Sequence, residues 1–374
     1  MYNIRMRIAI YGGAFDPPHN GHVSVVQSAI ETLQTEKLLV MPTGRSPYKT
    51  HGASFEDRVS LSEAAFCPFG AEVSREEGTD EQSYTYLTLQ RWKEKYPNDE
   101  LFFILGADSL RDFHTWRNPK RVVQLCTLAV YPRPGVDLAR VVERQKRRFG
   151  TEIAILSGEC LDVSSTAVRW KAQFGLPLEE VPPAVAQEIL ARGLYREYRS
   201  MTQKLQSALT PERYLHTYRV VLKALELNRQ LHLNEEQVVT GCILHDCAKY
   251  LPEEVAVRYG VEKYPRAVRH AFLGAYVAKE EYGIRDEAVL SAIRYHTTGK
   301  PKMSKLEQLV YVADSIEDGR KGAALPKIRK TAARNFERGF LQCLQNNYRY
   351  AKRSQEYLCP LTEECMEFYT GERK

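Results

Sequence analysis

The feature that most restricts what this chain can fold into lies in its first thirty-odd residues. The apolar segment Met6-Arg7-Ile8-Ala9-Ile10-Tyr11 runs directly into Gly12-Gly13-Ala14-Phe15-Asp16-Pro17-Pro18-His19-Asn20-Gly21-His22, and Val23 to Leu33 then has helix-compatible composition. A short β-rich run, a glycine pair, two prolines and a helical stretch read as strand, tight loop and helix. The glycines let backbone N–H groups approach a polyphosphate, and a helix starting after Pro18 adds unpaired N–H donors at its positive end. His19 and His22 are three apart, so one helical turn sets both imidazoles on one side. Two imidazoles at an anion site point to phosphate chemistry.

Further β candidates follow at Lys37–Pro42, Ala71–Ser74, Leu101–Leu105, Thr127–Tyr131 and Ile153–Leu156, with helical stretches such as Phe55–Ala65 and Tyr84–Tyr96 between them. Short apolar strands alternating with helices imply an α/β fold with a doubly wound parallel sheet, whose ligands bind at the carboxyl ends of the strands. Gly106-Ala107-Asp108 follows one such strand and sets a carboxylate at the sheet edge, while Trp116 offers a flat face to an aromatic ligand. Ser164-Ser165-Thr166 can cap a helix and donate to phosphate oxygens, with Arg169 one turn further along.

The eleven residues from Gly12 to His22 closely resemble the GGTFDPPHxGH motif of bacterial nicotinate-mononucleotide adenylyltransferases, members of the HxGH nucleotidyltransferase superfamily, with Ala14 in place of the usual Thr. Ser83-Tyr84-Thr85-Tyr86-Leu87-Thr88-Leu89, the stretch from Gly106 to Trp116, and Ser164 to Arg169 resemble further elements of that family. The resemblance implies a Rossmann-like domain that binds ATP with Mg²⁺ through Gly12, Gly13, Ala14, Phe15, His19, His22, Gly106, Asp108, Ser164, Ser165, Thr166 and Arg169. It implies a nicotinate mononucleotide site formed by Lys49, Tyr84, Thr85 and Trp116. Tyr48 stands where the family has a His, so only Lys49 carries over from that loop. His19, His22 and Arg169 are the expected catalytic groups.

From Thr210 onward β patterning stops, and helical spacing covers Glu235–Tyr250, Tyr264–Tyr282, Asp286–Tyr295, Ser304–Ile316 and Ile328–Tyr350. The polar stretch Glu197–Gln203 marks the junction, giving expected domains 1–198 and 199–374. His216, His245-Asp246, His270, His296 and Asp314 fall in or at the ends of different helices of this second half. That order resembles HD-domain metal-dependent phosphohydrolases, in detail the YqeK family, through Cys242–Lys249, Ile293–Gly299 and Val312–Glu317. The resemblance implies a dinuclear site whose ligands are His216, His245, Asp246, His270, His296 and Asp314, and hydrolysis of the dinucleoside polyphosphate diadenosine tetraphosphate to two ADP. Asp246 and Lys249 are its expected catalytic groups. Imidazoles and carboxylates without thiolate suit iron, manganese or another divalent transition ion.

A length of 374 residues suits two domains better than one core. Net charge +6 is mild, and no Lys/Arg block is interleaved with aromatics, so a nucleic-acid partner is not expected. The eight cysteines form no Cys-x-x-Cys pair, which together with the absence of a long apolar run predicts a soluble cytoplasmic protein with no membrane partner. Homo-oligomer formation stays open. So do two rival functions: transfer to another acceptor such as phosphopantetheine, and a helical half that senses nucleotides without hydrolysing them.

Overall fold

The computed structural model describes residues 5–44, 52–78, 84–354 and 358–371. The chain divides into two compact units, Met1–Arg196 and Glu197–Lys374. No helix among the described residues is long and apolar enough to cross a membrane, and all eight cysteines are free.

The first unit is an α/β fold built on six parallel strands, β1 (Arg7–Gly13), β2 (Lys37–Pro42), β3 (Glu72–Val73), β4 (Glu100–Gly106), β5 (Thr127–Tyr131) and β6 (Ile153–Ile155), in the order β3-β2-β1-β4-β5-β6. Alternation along the strands explains why they form. Ile8 and Ile10 point with Leu39, Met41, Leu101, Phe103 and Leu105 into one core, and Ala9 and Tyr11 with Leu38, Val40, Phe102 and Ile104 into the other. A sheet buried on both faces needs strands apolar at every position, which is how these runs read.

The chain leaves β1 for β2 on one side and returns to β4 on the other, so the order reverses between β1 and β4. At that reversal the connections diverge and leave a crevice at the carboxyl ends of the strands. Gly12 and Gly13 end β1, and Gly106 ends β4.

The second unit is all-helical among the described residues, its main helices being Pro211–Leu231, Glu235–Leu244, Arg266–Glu281, Glu287–Tyr295, Lys305–Ile316 and Phe336–Ser354. Their starts are capped by side chains: Thr210 accepts from the Arg213 N–H, Asp286 from Ala288 and Val289, and Ser304 forms a capping box with Glu307.

Two expected helices are broken. Glu235–Tyr250 stops being helical at Leu244, and the following turns close through Cys247 N–H to Leu244 O and Lys249 N–H to Asp246 O. Ile328–Tyr350 breaks after Ala332, where Asn335 caps a new helix by accepting from the Arg338 N–H. Gly339 lets that helix lie against its predecessor, since a Cβ there would come within 2.5 Å of the Ala332 Cα.

Candidate active sites of the two units

A cleft of about 510 Å³ opens at the carboxyl ends of β1 and β4. Of the residues expected to bind nucleotide, Gly12, Gly13, Ala14, Phe15, His22, Tyr84, Thr85, Gly106, Asp108, Trp116 and Ser165 line it. His19, Ser164, Thr166 and Arg169 are not in its lining, and Lys49 lies outside the described residues. A wider groove of about 840 Å³, lined by Arg111, Arg140, Arg144, Arg147 and Arg148 among others, holds none of the residues singled out from the sequence.

The loop after β1 is fixed by its own packing. Phe15 takes φ +48° and is buried against Tyr11 and Phe66, with ring centroids 5.2 and 5.3 Å away. A Cβ on Gly13 would sit 2.8 Å from that ring, so only glycine fits. Three donors hold the loop carbonyls: Arg58 Nη1 to Ala14 O at 2.8 Å, Arg169 Nη1 to Asp16 O at 2.6 Å and Ser165 Oγ to Pro17 O at 2.8 Å. The buried Asp16 carboxylate accepts from the Gly52 and Ala53 N–H groups and from the Tyr195 hydroxyl at 2.7 Å. Arg169 therefore braces the loop. Ser164 caps its helix by accepting from the Ala167 N–H, and Thr166 Oγ1 lies 3.5 Å from Arg169 Nη2.

His19 and His22 open the helix Asn20–Leu33, with their rings stacked at 3.7 Å. The His19 backbone N–H donates to His22 Nδ1 at 3.2 Å, which puts the proton of a neutral His22 on Nε2. Burial, with the nearby Arg133 charge, lowers His19 to about 4, so its ring is neutral at ordinary pH.

Arg133, just beyond β5, was not singled out from the sequence. It lines the cleft with its Nε 3.9 Å from Asp108 Oδ1. Gly106 makes that approach feasible, because a Cβ there would lie 2.5 Å from Asp108 Oδ1 and 3.1 Å from Arg133 Nε. Trp116 rests edge-on against Phe103 and tilted against Phe113.

In the helical unit the six expected ligands come together. His216 comes from Pro211–Leu231, His270 from Arg266–Glu281 and Asp314 from Lys305–Ile316, while His245 and His296 cap Glu235–Leu244 and Glu287–Tyr295 at their carboxyl ends. His216 Nε2 lies 3.0 Å from Asp314 Oδ1, and His245 Nε2 lies 3.4 Å from Asp246 Oδ2 and 3.7 Å from Asp314 Oδ1. His270 and His296 bring Nε2 to 3.1 and 3.7 Å from Asp246 Oδ1. Two groups able to grip an ion share Asp246: His216, His245, Asp246 and Asp246, His270, His296, each with ligand atoms within 4.8 Å of one another.

The outer partners set the tautomers. His245 Nδ1 meets Cys242 O at 2.7 Å and His296 Nδ1 meets Ile293 O at 2.8 Å; a carbonyl only accepts, so each Nδ1 carries the proton. His216 Nδ1 similarly faces Glu317 Oε1 at 3.1 Å. In the neutral rings each Nε2 is then a lone pair facing a carboxylate oxygen, and His216 Nε2, His245 Nε2 and Asp246 Oδ1 are buried without a hydrogen bond among the described residues. Acceptor against acceptor in a buried place is costly unless a cation lies between them, so the residues fit a metal ion. Burial alone would raise the Asp246 and Asp314 carboxyls; with no metal ion between them, imidazoles that carry a proton on Nε2, and Arg320 at Asp314, hold both well below the usual range.

Glu317, Arg213 and Arg320 were not singled out from the sequence. Glu317 is buried and is held by Arg219 Nε at 2.7 Å. Lys249 Nζ lies 3.0 Å from His270 Nε2 and 3.6 Å from Asp246 Oδ1.

Residues 10–171 match the Cytidylyltransferase-like family model, and residues 213–319 match the HD domain model. The "Probable nicotinate-nucleotide adenylyltransferase/Ap4A hydrolase" of Mycoplasma pneumoniae is 31% identical over 316 residues, covering 82% of this chain and 88% of that protein. The protein of the same name in Mycoplasma genitalium is 27% identical over 356 residues, 91% of this chain and 98% of that one. The "Probable nicotinate-nucleotide adenylyltransferase" of Clostridium tetani is 32% identical over 196 residues, covering 50% of this chain and 98% of that protein. With both domain models and a relative of this identity along most of its length, the chain belongs to the family of two-domain nicotinate-nucleotide adenylyltransferase/Ap4A hydrolases.

Proposed function

We propose that residues 1–198 transfer the adenylyl group of ATP to nicotinate mononucleotide, giving deamido-NAD and pyrophosphate, and that residues 199–374 hydrolyse diadenosine tetraphosphate to two ADP. What supports the first reading most is the cleft where the β1 glycines, His22, Gly106, Asp108, Tyr84 and Trp116 meet. The acceptor phosphate monoester is already anionic, so its oxygen attacks the α-phosphorus without a general base while the bond to pyrophosphate breaks. What the site must supply is alignment and charge neutralisation.

His22, stacked on the neutral His19, is our donor to the α-phosphate. Ser165 and Arg133, both in the lining, face the leaving pyrophosphate. Arg169 and Ser165 hold the loop that carries it, through Asp16 O and Pro17 O, while Ser164 caps the helix that bears both, and Mg²⁺ accompanies ATP. Tyr84 and Trp116 receive the pyridine ring.

In the second unit the six ligands would hold two divalent ions, iron or manganese, Asp246 belonging to both candidate groups. Such ions supply an activated water and neutralise the phosphoanhydride. The protein's own residues orient the ligands through Cys242 O, Ile293 O and Glu317, and Lys249 offers its ammonium to phosphate. Chromatography of products from ATP plus nicotinate mononucleotide, and from diadenosine tetraphosphate with Fe²⁺ or Mn²⁺, tests both halves. Turnover with phosphopantetheine alone would replace the first reading, and dinucleotide binding without ADP release would replace the second with a sensor.

A further inference from the structure

Asp246 and Asp314 each meet a guanidinium as well as the imidazoles. Arg213 Nη1 donates to Asp246 Oδ2 at 3.0 Å, and Arg320 Nη2 donates to Asp314 Oδ1 at 2.7 Å. Both side chains are partly exposed, at 25% and 39%. Other arginines nearby are tied differently: Arg219 to Glu317, and Arg329 to the backbone carbonyls of Ile316, Glu317 and Arg320. Arg213 and Arg320 alone of these four bond the carboxylates on which the histidines converge.

That placement sets up a competition. Asp314 Oδ1, the oxygen that Arg320 occupies, lies 3.0 Å from His216 Nε2 and 3.7 Å from His245 Nε2, so an ion held by those two rings would compete with Arg320 for it. A divalent charge so close to a guanidinium repels it strongly at any dielectric a protein surface offers. A guanidinium displaced from a carboxylate keeps its planar fork of donors, which matches phosphate oxygens as well as it matches carboxylate.

We propose that Arg213 and Arg320 are exchangeable counter-ions: they neutralise Asp246 and Asp314 until a divalent ion binds, are displaced by it, and then offer their guanidinium groups to the phosphates of the substrate. The proposal rests on reading this cluster as a metal-dependent phosphoanhydride hydrolase. It makes phosphate binding depend on metal occupancy, and two displaced forks favour a polyphosphate over a monoester.

The test uses the full chain with Mn²⁺ as the metal probe and inorganic phosphate as the anion probe. A charge-assisted hydrogen bond lost from the ion-free state corresponds to about a tenfold or larger change in an equilibrium constant. Free Mn²⁺ measured by electron paramagnetic resonance should therefore show about tenfold tighter binding in Arg320→Gln and in Arg213→Gln. Calorimetry of the Mn²⁺-loaded variants should show correspondingly weaker phosphate binding. Arg320→Lys, which keeps the charge and loses the fork, should shift both quantities in the same directions by less, and it replaces Arg320→Gln if that variant does not fold. Unchanged or weaker Mn²⁺ binding in the Gln variants, or unaltered phosphate binding, overturns the proposal. Failure of the unmodified protein to cleave diadenosine tetraphosphate would instead remove the substrate reading and leave the Mn²⁺ comparison intact.

Discussion

His19 lies nearly flat against His22, their ring centroids 3.7 Å apart and their planes 25° from parallel, while the His19 backbone N–H donates to His22 Nδ1. The His19 ring thus sets the pose of its neighbour, and the His19 backbone sets its tautomer, before any phosphate arrives. The arrangement requires His19 to stay buried and uncharged.

That requirement gives a pH dependence. His19 is lowered to about 4 in the fold, by burial first and Arg133 second, against an ordinary value near 6.5. Between those values the unfolded chain binds the extra proton, so stability is complete above pH 6.5, falls as pH drops toward 4 and levels off below. The shift corresponds to roughly 3 kcal/mol. All three tryptophans lie in the first unit, so denaturant titrations read by tryptophan fluorescence isolate it. His19→Asn should flatten the slope across this window, and an unaltered slope would assign it elsewhere.

Two glycines should respond differently to alanine. At Gly13 the new methyl meets the buried Phe15 ring at 2.8 Å, an overpacking that costs about 1–3 kcal/mol and takes adenylyl transfer with it. At Gly106 it meets the end of the half-exposed Asp108 side chain, which can rotate away. Gly106→Ala should keep its unfolding midpoint and raise the KM for ATP about tenfold, the equivalent of one lost hydrogen bond. Steady-state kinetics beside thermal unfolding distinguish the two.

Glu317 fixes His216 through Nδ1 and is itself fixed by Arg219 and the Gly319 N–H. Removing an outer partner of a ligating histidine lowers metal affinity by about 10–100-fold. Glu317→Gln should lose metal on dialysis at chelator concentrations the unmodified protein withstands, with adenylyl transfer unchanged. Equal metal content by mass spectrometry would deny Glu317 that role.

Much of this was legible in the sequence, because the informative residues are local. The strands announce themselves as apolar runs, and the Gly12–His22 and His245-Asp246 stretches carry their own spacing. What escaped depends on long-range contacts. Arg58 reads as a surface charge until it is found on Ala14 O, 44 residues away, and Asp16 meets Tyr195 across 179. Arg133 acquires a role only because β5 ends beside the cleft. Glu317 could have been suspected, since it stands three residues after Asp314 and so on the same side of the turn. The helix breaks at Leu244 and Ala332 were hidden by continuous helical composition on either side.

If each half carries its own site, concentrating positive charge at a phosphorus centre, the two reactions fail independently. Assaying both in the unmodified protein, His22→Ala and His245→Ala decides this. Loss of adenylyl transfer alone in the first variant and of diadenosine tetraphosphate cleavage alone in the second is the expected result. Loss of both activities in either variant, or of neither in both, would contradict it.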